Sequence, residues 1–308
     1  MAGHAGPTLE PPPLRQRSQG SPSAHCTKLK AIILLAGSVR PTPLRQAIRR
    51  SVLDLPVDQH STILTQWLSQ ARSLGISDLP VYVLLDPESA GPTSAKDDPA
   101  LQIMRDISSF RGSGGVLRDM LGAYHGDDRL LVAAGSQILF EPLADLLQTM
   151  ELGGDVAQLA HRDGTPGGLL LIKAAALGAI PAVGFIDLKE QALPTIARRF
   201  DVRVVDSATA CGMCVRTLGD YIAALRQYHR RLAGKPLMTD PLSEDWKPSF
   251  GIIEDGAHAD PTARVHDSVV LRGGTVHAGA IVVRSVVCEG AAVGRRAVEQ
   301  WVRKGERQ

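Results

Sequence analysis

The sequence predicts an α/β protein with a mostly parallel sheet, followed by a short parallel β-helix. Between residues 27 and 234, short apolar runs alternate with segments whose apolar residues recur at helical spacing. Strands that alternate with helices in this way are typical of a parallel sheet covered by helices. From residue 259 the apolar positions recur every five or six residues, with small residues between them. Such a repeat is typical of coils that stack on one another.

The strands and helices of the first part follow from the apolar pattern. The run 31–37 is apolar throughout, which indicates a strand buried on both faces. The first amphipathic helix is predicted at 61–75, with Ser61 or Thr62 as its N-cap. Further strands are predicted at 79–85, 130–134, 156–160, 169–173 and 202–205, and further helices at 141–150 and 218–232.

Five parts can be distinguished along the chain. They are a disordered tail rich in Pro, Gly and Ser (1–26), the α/β domain (27–234), a linker (235–250), the hexapeptide-repeat β-helix (251–294) and a charged C-terminal end (295–308). The charged end is predicted to be a short helix or a loose end. The apolar positions of the repeat are Ala259, Val265, Leu271, Val276, Val282, Val287 and Val293.

The composition excludes several classes of protein. The 308 residues include 34 basic and 32 acidic ones, so the net charge of +2 does not indicate a nucleic-acid binder. Four cysteines argue against a disulfide scaffold and favour a reducing compartment. The apolar stretch 167–186 contains Lys173 and Pro181, which makes it a poor membrane span. A cytoplasmic location is the expectation.

Two glycine-containing segments are candidates for ligand binding. The first strand ends at Leu35 and Ala36 and runs into Gly37 and Ser38, where backbone N–H groups could face a phosphate. Arg40 adds a guanidinium, which suits phosphate oxygens. Strand–glycine–helix junctions are common, so this segment alone is weak evidence.

A second candidate contains three glycines in four residues, at Gly112, Gly114 and Gly115. Glycines allow the backbone to approach a flat base or a ribose closely. The alternative interpretation is a flexible surface turn before a short helix at 116–124.

Four segments resemble motifs of the sugar-nucleotide pyrophosphorylases, with mannose-1-phosphate guanylyltransferases as the nearest relatives. They are 30–40 (KAIILLAGSVR), 112–117 (GSGGVL), 131–139 (LVAAGSQIL) and 212–221 (GMCVRTLGDY). The resemblance covers roughly residues 29–294. It implies a Rossmann-like nucleotidyltransferase domain, a left-handed β-helix, and the conversion of a nucleoside triphosphate and a sugar 1-phosphate into a nucleotide-sugar and pyrophosphate.

The resemblance also implies roles for particular residues. Leu35, Ala36, Gly37, Ser38, Gly112, Gly114 and Gly115 would hold the nucleotide, and Arg40 with Arg49 or Arg50 would offset phosphate charge. An active member would use Mg²⁺. The chain is expected to form a homo-oligomer or to pair with a paralogue.

The sequence departs from the family at the metal ligands. Ser136 and Cys214 stand at the two positions where the family has metal-binding aspartates. A hydroxyl alone is a poor Mg²⁺ ligand, and a thiol is a soft one. A surrogate carboxylate could come from Asp187, or from Asp119 or Glu190. The sequence therefore favours a nucleotidyltransferase-like protein that binds nucleotide or nucleotide-sugar, with impaired catalysis. The alternative is a non-catalytic regulatory or oligomerisation subunit of an active enzyme.

Two further hypotheses belong to other classes. Cys211 and Cys214 form a C-x-x-C before a predicted helix, whose N-terminus would lower a thiolate pKa, so a thiol redox site or half a metal site is possible. The ordinary interpretation is two buried thiols. His266 or His277, among the repeats, could serve an acyltransferase site between subunits.

Overall fold

We describe the protein from a computed structural model, which defines residues 28–37, 43–106, 111–151, 154–207, 209–234 and 249–305. The helices are α1 (Pro43–Ile48), α2 (Ile63–Ser73), α3 (Gly112–Asp119), α4 (Leu143–Met150), α5 (Ala174–Leu177), α6 (Leu193–Ile196) and α7 (Leu218–Leu232). None of the helices in these ranges is both long and apolar enough to cross a bilayer.

The first part of the chain forms the predicted mostly parallel sheet. Its strands are β1 (Leu29–Leu35), β2 (Val81–Leu85), β3 (Leu101–Arg105), β4 (Arg129–Ala134), β6 (Val156–Ala160), β7 (Pro166–Lys173) and β8 (Val202–Asp206), while β5 (Gln137–Leu139) and β9 (Gly212–Cys214) pair separately. The strand order is β3-β2-β1-β4-β7-β6-β8. Only β7 runs against its neighbours, because it forms a hairpin with β6.

Alternate residues of β1 explain the continuous apolar run at the start of the domain. Ile32 and Leu34 belong to the buried cluster that contains Trp67 of α2. Ala31 and Ile33 belong to the cluster on the opposite face, which contains Leu117 of α3. Both faces of the strand are covered, as the prediction of a doubly buried strand requires.

Three local predictions were incomplete or wrong. The edge strand β3 was missed, because its side chains are mostly exposed and its sequence, LQIMR, has no uniform apolar run. Helix α1 follows the undescribed residues 38–42 and was also missed. Residues 112–115 were predicted as a loop, but helix α3 begins at Gly112.

The C-terminal part consists of short parallel strands in three sheets. The strands are β10 (Gly251–Ile253), β11 (His258–Ala259), β12 (Arg264–His266), β13 (Ser268–Val270), β14 (Thr275–Val276), β15 (Ile281–Val283), β16 (Val286–Val287), β17 (Ala292–Val293), β18 (Arg296–Val298) and β19 (Trp301–Val302). Each sheet takes every third strand, in the orders β10-β13-β16-β19, β11-β14-β17 and β12-β15-β18. This arrangement is compatible with the predicted β-helix.

The stack of strands extends beyond the predicted boundary at residue 294. Strands β18 and β19 lie within the segment that was predicted to be a short helix or a loose end. Ala297 and Val302 are buried in the same cluster as Val282 and Val287. The apolar repeat was not recognised here because charged residues stand on both sides of these buried positions, at Arg295, Arg296, Glu299 and Arg303.

The two parts of the chain share one hydrophobic core. Phe250, Ile252 and Val269 of the C-terminal part belong to the same buried cluster as Trp67 and Tyr221 of the α/β part. The ring of Phe250 also stacks on that of His229 in α7, so the shared core joins the C-terminal strands to the α/β part.

Candidate functional site

The carboxyl ends of β1 and β2 border a cleft, which we call the sheet-edge cleft. It has a volume of about 420 Å³, within the range of small-molecule sites. Its apolar wall includes Leu84, Leu85 and Val116. Four carboxylates also line it, from Asp86, Glu88, Asp106 and Asp187. Ligands of α/β proteins bind at the carboxyl ends of the strands, so this cleft is in the expected place.

A second cleft, the arginine cleft, lies on the other side of the end of β1. Its volume is about 360 Å³, and it shares Leu35 and Gly37 with the sheet-edge cleft. Its polar lining contains Arg45, Arg216, Ser51, Ser89 and Ser136. No carboxylate lines this cleft among the residues that the structure describes. The two adjoining clefts therefore differ in the sign of the charge on their walls.

Gly37 lies where the clefts meet, but its N–H does not face either of them. That N–H donates to the carbonyl of Leu84 at 2.9 Å. A Cβ on Gly37 would lie 2.6 Å from the backbone nitrogen of Asp86. Glycine is needed here for the close approach of β1 to the end of β2, and the predicted N–H contact to phosphate would have to come from the undescribed residues after it.

Arg45 and Asp86 form an ion pair between the two clefts. The guanidinium of Arg45 donates to the Asp86 carboxylate at 3.0 Å, and Ser89 donates to the same oxygen. Burial raises the pKa of Asp86, but the bonds from Ser89 and Arg45 outweigh it and hold that pKa below its usual value. Neither Arg45 nor Asp86 was among the predicted site residues. The available signal was the position of Asp86 directly after an apolar run.

The glycine segment 112–115 packs against the backbone around Ile186. Gly112 has a φ of +68°, and a Cβ on it would lie 2.6 Å from the carbonyl oxygen of Ile186. The same oxygen accepts from the N–H of Gly114 at 2.9 Å. Gly112 and Ser113 line the sheet-edge cleft, while Gly114 and Gly115 are buried within α3. Packing accounts for these glycines, and only the start of the helix reaches the cleft.

The structure brings the two positions of the family's metal ligands together. Strands β5 and β9 pair antiparallel, and the N–H of Val215 donates to the carbonyl of Ser136 at 3.0 Å. The side chains at these positions are the hydroxyl of Ser136 and the thiol of Cys214. Within the described ranges, no group of three or more His, Cys, Asp or Glu side chains could hold a metal ion. The donor set at this point does not fit Mg²⁺.

Asp187, the predicted surrogate ligand, caps a helical turn. Its carboxylate accepts from the N–H groups of Lys189 and Glu190, at 2.8 and 2.9 Å. It lines the sheet-edge cleft, and Ser136 lines the arginine cleft. Asp119, another predicted surrogate, is paired with Arg111.

Of the two predicted catalytic arginines, the structure describes only Arg50, which lines neither cleft. Arg40 and Ser38 lie outside the described residues. Arg50 donates two hydrogen bonds to Glu254, at 3.1 and 2.7 Å, on the boundary with the C-terminal strands. The structure thus places Arg50 in a contact between the two parts of the chain.

The cysteine pair has no activated thiol. Burial raises the pKa of Cys211 to about 11, and it also raises the pKa of Cys214. Cys214 lies in β9, three residues before Thr217, which caps α7, so the helix N-terminus does not act on it directly. A reactive thiolate needs a lowered pKa. The predicted effect of the helix on these thiols is therefore wrong.

Sequence reasoning also missed Arg216 and Lys189. Both line a third cleft of about 150 Å³, which we call the thiol cleft, together with Cys214. Arg216 lies within the motif 212–221 that the analysis did quote. The signal in that motif was the missing carboxylate at position 214, and the motif gives no role to the cation two residues later.

No protein-family model and no curated protein match the chain. Solved structures overlap it loosely. A homolog of Mycobacterium tuberculosis Rv0371c from Mycobacterium sp. strain JC1 is 16% identical, with a TM-score of 0.46 over 65% of this chain and 97% of that one. HddC from Yersinia pseudotuberculosis is 13% identical, with a TM-score of 0.48 over 65% of this chain and 100% of that one. HddC was also solved with GMP-PN. A Bacillus anthracis protein assigned as a glucose-1-phosphate thymidylyltransferase and solved with sucrose is 14% identical, with a TM-score of 0.49 over 69% of this chain and 98% of that one. Because these superpositions are loose, only the residues that line the clefts can identify a ligand here.

Proposed function

We propose that this chain is a nucleotidyltransferase-like protein that binds a nucleotide or a nucleotide-sugar at the carboxyl edge of its sheet. One observation carries the proposal: two clefts with different linings meet at Leu35 and Gly37. One ligand can therefore lie in both. A nucleotide has the matching division, with a flat base at one end and an anionic phosphate chain at the other.

The sheet-edge cleft suits the base and the ribose. Leu84, Leu85 and Val116 give it an apolar wall against which a ring can stack. The carboxylates of Asp86 and Asp106 are acceptors for the N–H groups of a base or the hydroxyls of a ribose. Apolar walls with a few placed polar groups are typical of small-molecule sites.

The arginine cleft suits the phosphates. Arg45 and Arg216 supply guanidinium groups, which match the geometry of phosphate oxygens. The hydroxyl of Ser136 adds a further donor. Arg45 and Ser89 already donate to Asp86, so a phosphate would share the Arg45 guanidinium with that carboxylate. Arg40, predicted to bind phosphate, belongs to the undescribed segment that follows Gly37.

A non-catalytic binding subunit is the second candidate, and the chemistry at Ser136 and Cys214 favours it. Nucleotidyl transfer depends on neutralising the triphosphate, and that work usually falls to a metal held by carboxylates. These two positions supply a hydroxyl and a thiol instead. Pairing with a second copy or with a paralogue remains a prediction.

The test combines binding with turnover. Isothermal titration of the full chain with a panel of nucleoside triphosphates measures binding, and release of pyrophosphate with sugar 1-phosphates and Mg²⁺ measures transfer. We expect Arg45→Gln to weaken nucleotide binding about tenfold, since it removes one charge-assisted contact. Arg203→Gln, which alters an exposed arginine paired with Asp201, is the matched control.

The outcomes separate the candidates. Turnover that Arg40→Ala abolishes would establish a divergent enzyme. Binding without turnover would establish the binding subunit. If no nucleotide binds, or if Arg45→Gln and Arg203→Gln behave alike, the proposed function is wrong.

A further inference from the structure

Arg216 occupies a position that faces three cavities. It lines the arginine cleft, the thiol cleft and a cavity of about 630 Å³ under the turn of the β6–β7 hairpin. It comes just before Thr217, the N-cap of α7, and its N–H donates to the carboxylate of Asp220 at 3.2 Å. The backbone of Arg216 is thereby fixed while its side chain stays exposed.

Lys189 lines the same thiol cleft. It lies in the helical turn that Asp187 caps, and it lines the cleft with Cys214 and Arg216. Neither the ammonium of Lys189 nor the guanidinium of Arg216 is paired with another side chain among the described residues. Cationic side chains from two different parts of the fold therefore line one small cavity.

Both cations act on the position where the resemblance places a metal ligand. Burial raises the pKa of the Cys214 thiol, while the charges of Arg216 and Lys189 lower it and that of Asp220 raises it. The carboxylate that faces this point, Asp220, is occupied by the N–H groups of Arg216 and Thr217. Asp187 is likewise occupied by the turn that it caps. Two cations and one carboxylate therefore act on the charge at position 214, and the backbone bonds hold that carboxylate in place.

We propose that Arg216, together with Lys189, binds a phosphate or pyrophosphate group directly, and that this binding requires no metal ion. The inference rests on the proposed function in that it concerns the phosphate end of the same ligand. A guanidinium on a fixed backbone and an ammonium would neutralise the phosphate charge that Mg²⁺ held by two carboxylates neutralises in the family that the sequence resembles. Guanidinium groups bind phosphate oxygens through paired hydrogen bonds and need no change of protonation to do so.

Charge predicts how magnesium should affect this site. Free pyrophosphate carries more negative charge than its magnesium complex, and two cationic side chains attract the more negative species more strongly. A site built from carboxylates and Mg²⁺ has the opposite preference, because without the metal its carboxylates repel the phosphates. The response to chelation therefore distinguishes the two designs.

The experiment titrates the full chain with inorganic pyrophosphate, once in EDTA and once in excess Mg²⁺. We expect binding in EDTA to be at least as tight as binding in Mg²⁺, and to weaken as salt is raised. Arg216→Gln should weaken binding in EDTA tenfold or more, and Lys189→Gln by a smaller factor. Arg216→Lys should weaken binding less than Arg216→Gln, since lysine keeps the positive charge but lacks the paired N–H donors of the guanidinium. Arg203→Gln is again the control, and thermal melting of each variant confirms that it is folded.

Three results would overturn the inference. They are binding of pyrophosphate in Mg²⁺ that EDTA abolishes, equal affinity in Arg216→Gln and Arg203→Gln, and no binding of pyrophosphate at all. Nucleotide titrations distinguish this failure from failure of the proposed function. If nucleotides bind through Arg45 but pyrophosphate does not bind through Arg216, only the inference is wrong. If nucleotides do not bind either, the proposed function is wrong as well.

Discussion

The guanidinium of Arg50 donates two hydrogen bonds to the carboxylate of Glu254, and this pair joins the α/β part of the chain to its first C-terminal strands. Glu254 also accepts from the N–H of Arg272, at 2.6 Å. Since the Arg50 and Glu254 side chains are mostly buried, at 27% and 16% exposure, the pair is less screened by solvent than a surface pair.

Arg50→Gln is therefore expected to lower the free energy of unfolding by about 1 kcal/mol. Urea denaturation measures the change. Arg284→Gln, which removes an arginine from an exposed pair with Glu299, should cost only about 0.3 kcal/mol. Equal effects of the two substitutions would show that the Arg50 pair has no special role in joining the two parts.

Gly112→Ala is expected to destabilise the protein by more than about 1 kcal/mol. Its left-handed backbone disfavours a side chain, and the new Cβ would meet the carbonyl oxygen of Ile186. Gly122→Ala is the control, since nothing lies within 4 Å of a Cβ at that position. Thermal melting compares them, and a control as damaging as Gly112→Ala would contradict the packing explanation.

The lowered pKa of Asp86 predicts that the free energy of unfolding falls in acid. Its pKa is lower in the folded protein than in the unfolded chain, so its contribution is present above the unfolded pKa and is lost as the pH falls through the folded one. The difference in unfolding free energy between the native chain and Asp86→Asn should be constant above about pH 5 and shrink between about pH 5 and about pH 2. A difference that stays constant over this range would contradict the ion pair with Arg45.

Gln227→Met is expected to raise stability by about 1 kcal/mol. The Oε1 of Gln227 is buried with no hydrogen-bond partner among the described residues, and methionine has a similar length without the polar atom. Gln66→Met is the matched control. Both ends of the Gln66 amide bond to the backbone of Leu139, at 3.2 Å each, so this substitution should destabilise the protein. Urea denaturation decides, and the prediction fails if Gln227→Met is neutral or destabilising.

The thiols of Cys211 and Cys214 are expected to react slowly with iodoacetamide. With a pKa of about 11, Cys211 is almost entirely protonated near neutral pH, and only the thiolate reacts. The rate should rise steadily as the pH approaches that value. Peptide mapping by mass spectrometry locates the label. Rapid labelling of Cys211 in the folded protein at neutral pH would restore the redox hypothesis.

Elements with a uniform pattern could be predicted well from the sequence. Helix α7 begins and ends where the apolar spacing places it, with Thr217 and Asp220 forming the capping box at its start. Strand β6 also matches its predicted limits. In both cases, local periodicity and tertiary packing favour the same structure.

The candidate site could be predicted only in part, because its parts come from distant segments. Gly112 looks like a loop residue, and only its contact with Ile186 shows why a glycine starts a helix there. The meeting of Arg45 with Asp86, 41 residues apart, has no local signal. Arg216 was not predicted for another reason. Comparison with the family motif pointed to the aspartate that Cys214 replaces and gave no role to the cation two residues after it.

The shared core has a consequence for how the chain is made. The ribosome releases the α/β part first, and the apolar residues of this part that share a cluster with Phe250 and Ile252 are not fully covered until those two residues emerge. Val286 and Cys288, in the same cluster, emerge later still. Nascent chains of this protein therefore expose apolar surface until the C-terminal strands have emerged, and exposed apolar surface makes incomplete chains prone to aggregation and dependent on chaperones.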